Sequence, residues 1–198
     1  MDDLSKLPPG LWAAVLGAVV LGLVLWWLWR WYSGFRARRA LRAAVTGGAA
    51  DHLADALVPD GMGGGFHVDF LLLTMRGVVV IDLRDVRGNI FGGDQMAEWT
   101  VMDGARRFTF TNPQGALYDR IAAVKAVAGD VPVEGRIVFT RRGKFPKGLP
   151  KWTLMVDALS AEFPSIEYAP HADATAPLSE GWRRLKDAVK PSYMADMR

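Results

Sequence analysis

HVDFLLLTMRGVVVIDLRDVRG, residues 67–88, contains two apolar runs separated by a short break that ends at Gly77. Both runs are rich in Val, Ile and Leu, and a glycine between such runs is typical of a tight turn, so the stretch predicts an antiparallel β-hairpin. The first run contains Asp69, and the second contains Asp82 and Arg84. Charged side chains on two otherwise apolar strands are the most informative feature of this chain.

The position and length of the hairpin loop decide which charged side chains lie opposite each other. A two-residue loop at residues 75–76 places Asp69 directly opposite Asp82, whereas a loop at residues 76–77 places Asp69 opposite Arg84. In both registers the three side chains share one face, because strand side chains alternate with period two, and a three-residue loop would turn one strand over. Since like charges directly opposite each other are destabilising, a divalent cation between the two carboxylates would be a physical reason to keep them.

These residues resemble a known family. The runs VDFLLLT and GVVVIDLR, followed by Gly88, Gly92 and Trp99, are similar to the nuclease-related domain, NERD, of the restriction-endonuclease-like superfamily with its PD-(D/E)XK active site. The resemblance covers about residues 47–163. It implies an α/β domain, a restriction-endonuclease-like mixed β-sheet flanked by helices.

The resemblance also implies a site. It assigns Mg²⁺ or Mn²⁺ ligation to Asp69, Asp82 and Asp51, and hydrolysis of nucleic acid, DNA or RNA, to a catalytic set of Asp69, Asp82, Arg84 and Gln114. Family members carry a lysine at the Arg84 position and usually a glutamate near Asp51. Arginine stays charged, so any role that needs a neutral amine is lost. The alternative is therefore a catalytically inactive, membrane-tethered binding or scaffold domain.

A helix is predicted after the sheet strands. Asn112 precedes a proline as an N-cap, and Gly129 is placed to end the helix. Gln114 and Tyr118 lie one turn apart and resemble the Q-x-x-x-Y element of the RecB-like branch; an ordinary packing pair is the alternative. Lys125, on the same face, is a candidate substitute for the missing lysine.

The N-terminus predicts a membrane anchor. Residues 11–29 contain no charge and no proline and would span about 28 Å as a helix, close to a bilayer core of about 30 Å. A cleavable signal peptide is the rival, but the apolar run is long and ends in tryptophans. The residues that follow are rich in arginine, so the positive-inside rule predicts a single-pass protein of the cell membrane with a cytoplasmic domain and anionic lipid headgroups as partners of the basic segment. The predicted divisions are a tail at 1–10, a transmembrane helix at 11–32, a basic juxtamembrane segment at 33–46, the NERD-like domain at 47–163 and a tail at 164–198.

The remaining patterns add elements and exclude some chemistries. A chain with no cysteine has neither disulfides nor thiolate metal sites, and its three histidines lack metal-ligand spacing. Residues 141–151 form a basic loop, which is either a solvated surface or a contact for the phosphate backbone of nucleic acid. The predicted elements are a short helix at 49–57 with Leu53 and Leu57 facing inward, a hairpin at 99–102 and 108–111, strands at 137–140 and 153–156, a helical turn at 158–163 and an amphipathic helix at 178–189.

Overall fold

The computed structural model describes residues 9–164 and 178–192, in two compact units, residues 1–43 and 44–198. Helix α1 (Pro9–Thr46) runs through the first unit and ends in the second. Within its segment Val15–Thr46 an apolar stretch of 18 residues has a mean hydropathy of 1.5 and no buried residue, so α1 is long and apolar enough to be a single membrane span, as the sequence predicted. The parts of the two predicted tails at residues 1–8, 165–177 and 193–198 lie outside the described residues.

The second unit is built from strands and short helices. The strands are β1 (Asp51–Pro59), β2 (Gly65–Thr74), β3 (Gly77–Arg84), β4 (Gly88–Phe91), β5 (Glu98–Asp103), β6 (Arg106–Thr111), β7 (Val133–Phe139), β8 (Gly143–Lys144), β9 (Thr153–Met155) and β10 (Lys190–Pro191). The helices are α2 (Pro113–Ala128), α3 (Leu159–Glu162), which follows a 3₁₀ turn at Val156–Ala158, and α4 (Ser179–Ala188).

The strands form two mixed sheets. The first has the order β10-β1-β2-β3-β7-β9, with antiparallel pairs up to β3 and parallel pairs from β3 to β9. The second has the order β6-β5-β4-β8, in which only the β4–β8 pair is parallel. Helices α2 and α4 pack together, and α2 also lies against the first sheet. The prediction of an α/β fold with a mixed sheet flanked by helices is confirmed.

The β2–β3 hairpin has the first of the two predicted registers, with the loop at residues 75–76. Pairing runs from Thr74 opposite Gly77 to Phe70 opposite Ile81, which leaves residues 75–76 as the loop. Gly77 has φ +130°, and a Cβ there would lie 2.2 Å from the carbonyl oxygen of Pro132, so only glycine fits this position.

The predicted helix at residues 49–57 is wrong: this segment is strand β1, which pairs with β2 from Asp51 opposite Leu73 to Pro59 opposite Gly65. The helix was inferred from Leu53 and Leu57, but a spacing of four residues keeps two side chains together on a strand as well as on a helix. Pairing with β2, a partner that sequence periodicity does not reveal, decides between the two.

The other predicted elements are largely confirmed. The second hairpin is β5 and β6, and the amphipathic helix is α4, which buries Trp182 and Leu185 in the main hydrophobic cluster. Strand β7 begins at Val133, four residues before the predicted start at 137, in a stretch where its pairing with β3 rather than its composition defines the strand.

Trp99 anchors the second sheet to the first. Its indole is fully buried and contacts Phe139 of β7 in a stacked arrangement and Phe110 and Phe145 edge-on, with ring centroids 5.9 to 6.2 Å apart. A Cβ on Gly92 would lie 2.4 Å from the indole ring, so the backbone at Gly92 packs directly on the tryptophan. The glycine and tryptophan that helped to identify the family resemblance are thus one packing unit.

We expect Gly92→Ala to destabilise the domain by about 1–3 kcal/mol, because the added methyl group overpacks a closed aromatic core. Gly93→Ala is the matched control, since its Cβ would lie no closer than 3.4 Å to the flexible Met96 side chain. Chemical denaturation of the full chain in detergent, followed by tryptophan fluorescence, measures both. Equal losses in the two variants would contradict the packing role of Gly92.

Candidate functional site

The centre of the site is the carboxylate of Asp82 on β3, whose side chain is only 3% exposed. Arg84 engages both of its oxygens, with Nε 2.7 Å from Oδ1 and Nη2 donating to Oδ2 at 2.8 Å. Arg120 of α2 donates from Nη1 to the same Oδ2 at 3.1 Å. A buried carboxylate is costly unless it is paired and hydrogen-bonded, and here two guanidinium groups provide that compensation.

Arg120 also fixes the position of α2 over the hairpin. Its Nε donates to the carbonyl oxygen of His67 on β2 at 2.6 Å, while its Nη1 reaches Asp82 on β3. One guanidinium therefore joins a helix to two neighbouring strands, and its side chain is only 19% exposed. Its fork of fixed donors suits this bridging role.

The regular β2–β3 pairing ends with Phe70 opposite Ile81. One further pair would place Asp69 opposite Asp82. Its Oδ2 accepts a hydrogen bond from the backbone N–H of Leu83 at 2.8 Å, in place of a backbone carbonyl. Its Oδ1 lies 3.3 Å from Nε2 of His67. The pairing of β2 with β1 is also interrupted at Asp69. The residue opposite it on β1 is Asp55, which has φ +50°.

The residues at the site do not fit a resident divalent cation in this arrangement. Asp69 and Asp82 supply oxygen atoms of the type that Mg²⁺ and Mn²⁺ prefer. However, the oxygens of Asp82 are held by two permanently charged guanidinium groups, and those of Asp69 by Leu83 and His67. Among residues 9–164 and 178–192, no cluster of three or more His, Asp or Glu side chains has metal-binding geometry. A cation here would have to displace arginines that repel it.

Asp51, the third predicted metal ligand, is not brought to this pair. It lies opposite Leu73 at the start of β1, four positions along β2 from Asp69, about 13 Å at the rise of a strand. Its carboxylate accepts hydrogen bonds from the Trp182 indole at 2.8 Å and from Lys186 at 3.3 Å, which dock α4 on β1. Partial burial raises the pKa of Asp51, but the hydrogen bonds from Trp182, the His52 backbone and Lys186 outweigh it, and the net pKa is lowered.

Gln114 holds three loops at the N-terminus of α2. It is 6% exposed, and its Nε2 donates to Asp94 Oδ1 and to the carbonyl of Lys151, both at 2.9 Å. Its Oε1 accepts from Asn112, which caps the helix as predicted by accepting from the Gln114 backbone N–H at 3.0 Å. The structure therefore gives Gln114 partners that differ from those of Asp69 and Asp82.

Tyr118 and Lys125, predicted to share a face with Gln114, are both exposed to solvent, Tyr118 to 52%. In the basic loop, Arg141 pairs with Asp157 and Arg142 with Asp85, which neutralises two of its charges.

His67 and Arg120 belong to the site but were missed in the sequence. His67 had a usable signal, since it lies two residues before Asp69 and side chains at that spacing share a strand face. Arg120 had none, because it is 38 residues from Asp82 and its role depends on where α2 crosses the sheet.

The sequence model of the nuclease-related domain, NERD, matches residues 34–140, which include β1 to β7 and α2. No curated protein and no solved structure matches the chain. The match includes Asp69, Asp82 and Arg120 and ends just before the basic loop.

The contacts of Gln114 generate a prediction. Gln114→Glu keeps the shape of the side chain but replaces its donor group by an oxygen that faces Asp94 and the Lys151 carbonyl, so we expect a loss of about 1–3 kcal/mol or more at neutral pH. Gln95→Glu, an exposed change in the same loop, is the matched control and should cost about 0.5 kcal/mol or less. Urea denaturation of the full chain in detergent measures both.

The pH dependence provides a second readout. The hydrogen bond from Gln114, together with the Lys151 backbone N–H, lowers the pKa of Asp94. A lowered carboxyl pKa contributes stability that is complete above the unfolded value of about 3.9 and is lost as pH falls through the folded value. In Gln114→Glu the new glutamate carboxylate faces other oxygen atoms and becomes protonated as the pH falls. The difference in stability between the variant and the natural chain should therefore shrink toward about pH 4. A deficit that does not change with pH would contradict this account.

Proposed function

Because this chain belongs to the NERD family, we propose that it is a membrane-anchored domain that has kept the nuclease-related fold and lost metal-dependent turnover, and that it acts as a binding or scaffold domain. The observation that carries the proposal is the double engagement of the buried Asp82 carboxylate by Arg84 and Arg120. This arrangement satisfies the carboxylate without a metal ion.

The chemistry of arginine supports the same conclusion. A lysine can shift its pKa when it is buried and can lie beside a metal-bound water as a compact ammonium group, whereas a guanidinium is larger and never deprotonates in a protein. Arg84 is where the family pattern has its lysine, and Arg120 adds a second permanent charge to the same carboxylate. Both guanidinium groups are already paired with Asp82, and neither can supply a neutral amine.

The second candidate is a hydrolase that cleaves DNA or RNA with Mg²⁺ or Mn²⁺, using Asp69, Asp82, Arg84 and Gln114. The offset of the β2–β3 hairpin favours it, because continuation of the pairing past Phe70 and Ile81 brings the Asp69 and Asp82 positions together on neighbouring strands. In this function the two carboxylates would hold the cation, which when bound would polarise a phosphate and activate a water.

For the anchor we propose a single span of the cell membrane with residues 44–198 in the cytoplasm. The arginines that follow the apolar part of α1 support this orientation through the positive-inside rule, and as partners we propose anionic lipid headgroups. Two of these arginines lie over aromatic rings one turn earlier, Arg30 over Trp26 at 6.0 Å and Arg36 over Tyr32 at 5.8 Å. Tryptophan, tyrosine and arginine together are typical of the bilayer interface.

The test of turnover uses the full chain in detergent. We expect neither Mg²⁺ nor Mn²⁺ to raise its melting temperature, and no metal-dependent cleavage of single- or double-stranded DNA or RNA. The double variant Arg84→Lys with Arg120→Gln frees one side of the Asp82 carboxylate and restores the family's lysine, so a metal-dependent rise in melting temperature should appear. Arg142→Lys, an exposed arginine paired with Asp85, is the matched control and should show no rise.

Metal-dependent cleavage by the natural chain that disappears in Asp82→Asn would establish the second candidate and overturn the first. Asp82→Asn removes a buried charge partner of two arginines and is expected to cost stability, on the order of 3–5 kcal/mol. Circular dichroism must therefore show that the variant is folded at the assay temperature.

The orientation predicts the result of protease treatment. Protease added outside intact cells should leave residues 44–198 uncut, and cutting should begin once the membrane is permeabilised, because the arginine-rich side of a span stays in the cytoplasm. Immunoblotting with a C-terminal tag measures this. Loss of the tag from intact cells would contradict the cytoplasmic location.

A further inference from the structure

The second sheet turns one face to solvent. Arg107 of β6 lies opposite Met102 of β5, Met102 opposite Asn89 of β4, and Asn89 opposite Lys144 of β8. Directly paired residues present their side chains on the same face, so these four form one row across all four strands, here called the Arg107 row. All four side chains are exposed, whereas the intervening Ile90 and Val101 are buried on the opposite face.

A second row lies two residues further along the strands. It consists of Thr109 on β6, Thr100 on β5 and Phe91 on β4. The ammonium group of Lys147 lies 5.9 Å from the centroid of the Phe91 ring. The face therefore has cations at both edges, an amide and a thioether between them, and a half-exposed aromatic ring beside two threonine hydroxyl groups. One exposed carboxylate, Glu98, lies one row further along β5 on the same face.

The charges of the Arg107 row are not compensated. Within residues 9–164 and 178–192, neither Arg107 nor Lys144 forms a salt bridge, although Arg87 and Arg142 nearby pair with Asp103 and Asp85. A depression of about 230 Å³ lies beside Asn89, Met102 and Lys144. Open cations at both edges of a sheet face are complementary to a polyanion.

The composition of the face favours nucleic acid over a lipid surface, and a single strand over a duplex. The amide and hydroxyl groups can form hydrogen bonds with base edges, and Phe91 can stack on a base, whereas an anionic bilayer would use only the cations. Stacking on Phe91 requires an unstacked base, which a single strand offers and an intact duplex does not. Sheets that bind single strands combine cationic edges with aromatic stacking platforms in this way.

We propose that the Arg107 row and Phe91 form a binding face for single-stranded nucleic acid. Arg107 and Lys144 contact phosphates, about 14 Å apart across three strand spacings. Phe91 stacks on a base, and Asn89 offers its amide to a base edge. This goes beyond the proposed function, since the face lies on the other sheet from Asp82 and needs no metal ion.

The experiment uses the full chain in nanodiscs of zwitterionic lipid, with EDTA present so that cleavage cannot interfere. Fluorescence anisotropy measures the affinity for a labelled oligothymidylate and for a blunt DNA duplex of the same length over a salt series. The test variant is Arg107→Gln with Lys144→Gln. The matched control is Lys190→Gln with Arg183→Gln, which removes the same charge from exposed positions on β10 and α4.

We expect the single strand to bind more tightly than the duplex. Loss of two phosphate contacts should reduce the magnitude of the negative slope of log affinity against log salt by about 1.4. The control variant should leave the slope unchanged. Phe91→Leu keeps an apolar side chain but removes the stacking surface, so it should weaken binding roughly 5- to 150-fold with little change in the slope.

Three results would overturn the proposal: no binding of the oligonucleotide, equal losses in the test and control variants, or preference for the duplex. Binding to vesicles that contain anionic lipid, lost in the test variant while the oligonucleotide is not bound, would assign the face to the bilayer instead. Because EDTA is present throughout, metal-dependent cleavage found in a separate assay would overturn the proposed loss of turnover and leave this result unaffected.

Discussion

The ion-pair cluster around Asp82 is the constraint on which the candidate site depends. A carboxylate that is 3% exposed must be paired, and its two partners come from different elements, Arg84 from β3 itself and Arg120 from α2. Arg120 also donates a hydrogen bond to the backbone of β2, so the same guanidinium group that helps to neutralise the carboxylate sets the position of α2 on the hairpin. Charge compensation and helix placement are therefore one structural requirement, and removal of the carboxylate would affect both.

The sequence predicts the structural elements correctly where local signals and the fold agree. The turn glycine at residue 77 and the two apolar runs defined the β2–β3 hairpin, and one of the two predicted offsets is the observed one. The cap at Asn112 and the glycine at 129 bounded α2 because both act through contacts within a few residues. The hydrophobic period of α4 was strong enough to reveal the helix that buries Trp182 and Leu185.

Predictions from the sequence are wrong where the decisive contact is between residues far apart in the chain. Residues 49–57 read as a helix because the Leu53 and Leu57 spacing fits two periods, and only pairing with β2 excludes one of them. Asp51 was assigned to a metal site, yet its partners Trp182 and Lys186 are more than 130 residues away. Arg120 was missed for the same reason. A contact between side chains of distant elements leaves no periodicity in the sequence.

The charged side chains of the two sheets differ in burial and in pairing. On the first sheet the charged groups Asp82, Arg84 and Arg120 are buried or half-buried and compensate one another, because uncompensated charge at such positions would destabilise the fold. On the second sheet Arg107 and Lys144 are exposed and uncompensated, and solvent screens them at little cost to stability. A site whose charges are already paired offers little net charge to a polyanion, whereas an open cationic face does. The electrostatics of this domain therefore separate the Asp82 cluster, whose charges are paired, from the exposed face of the second sheet, whose two cations are open to solvent.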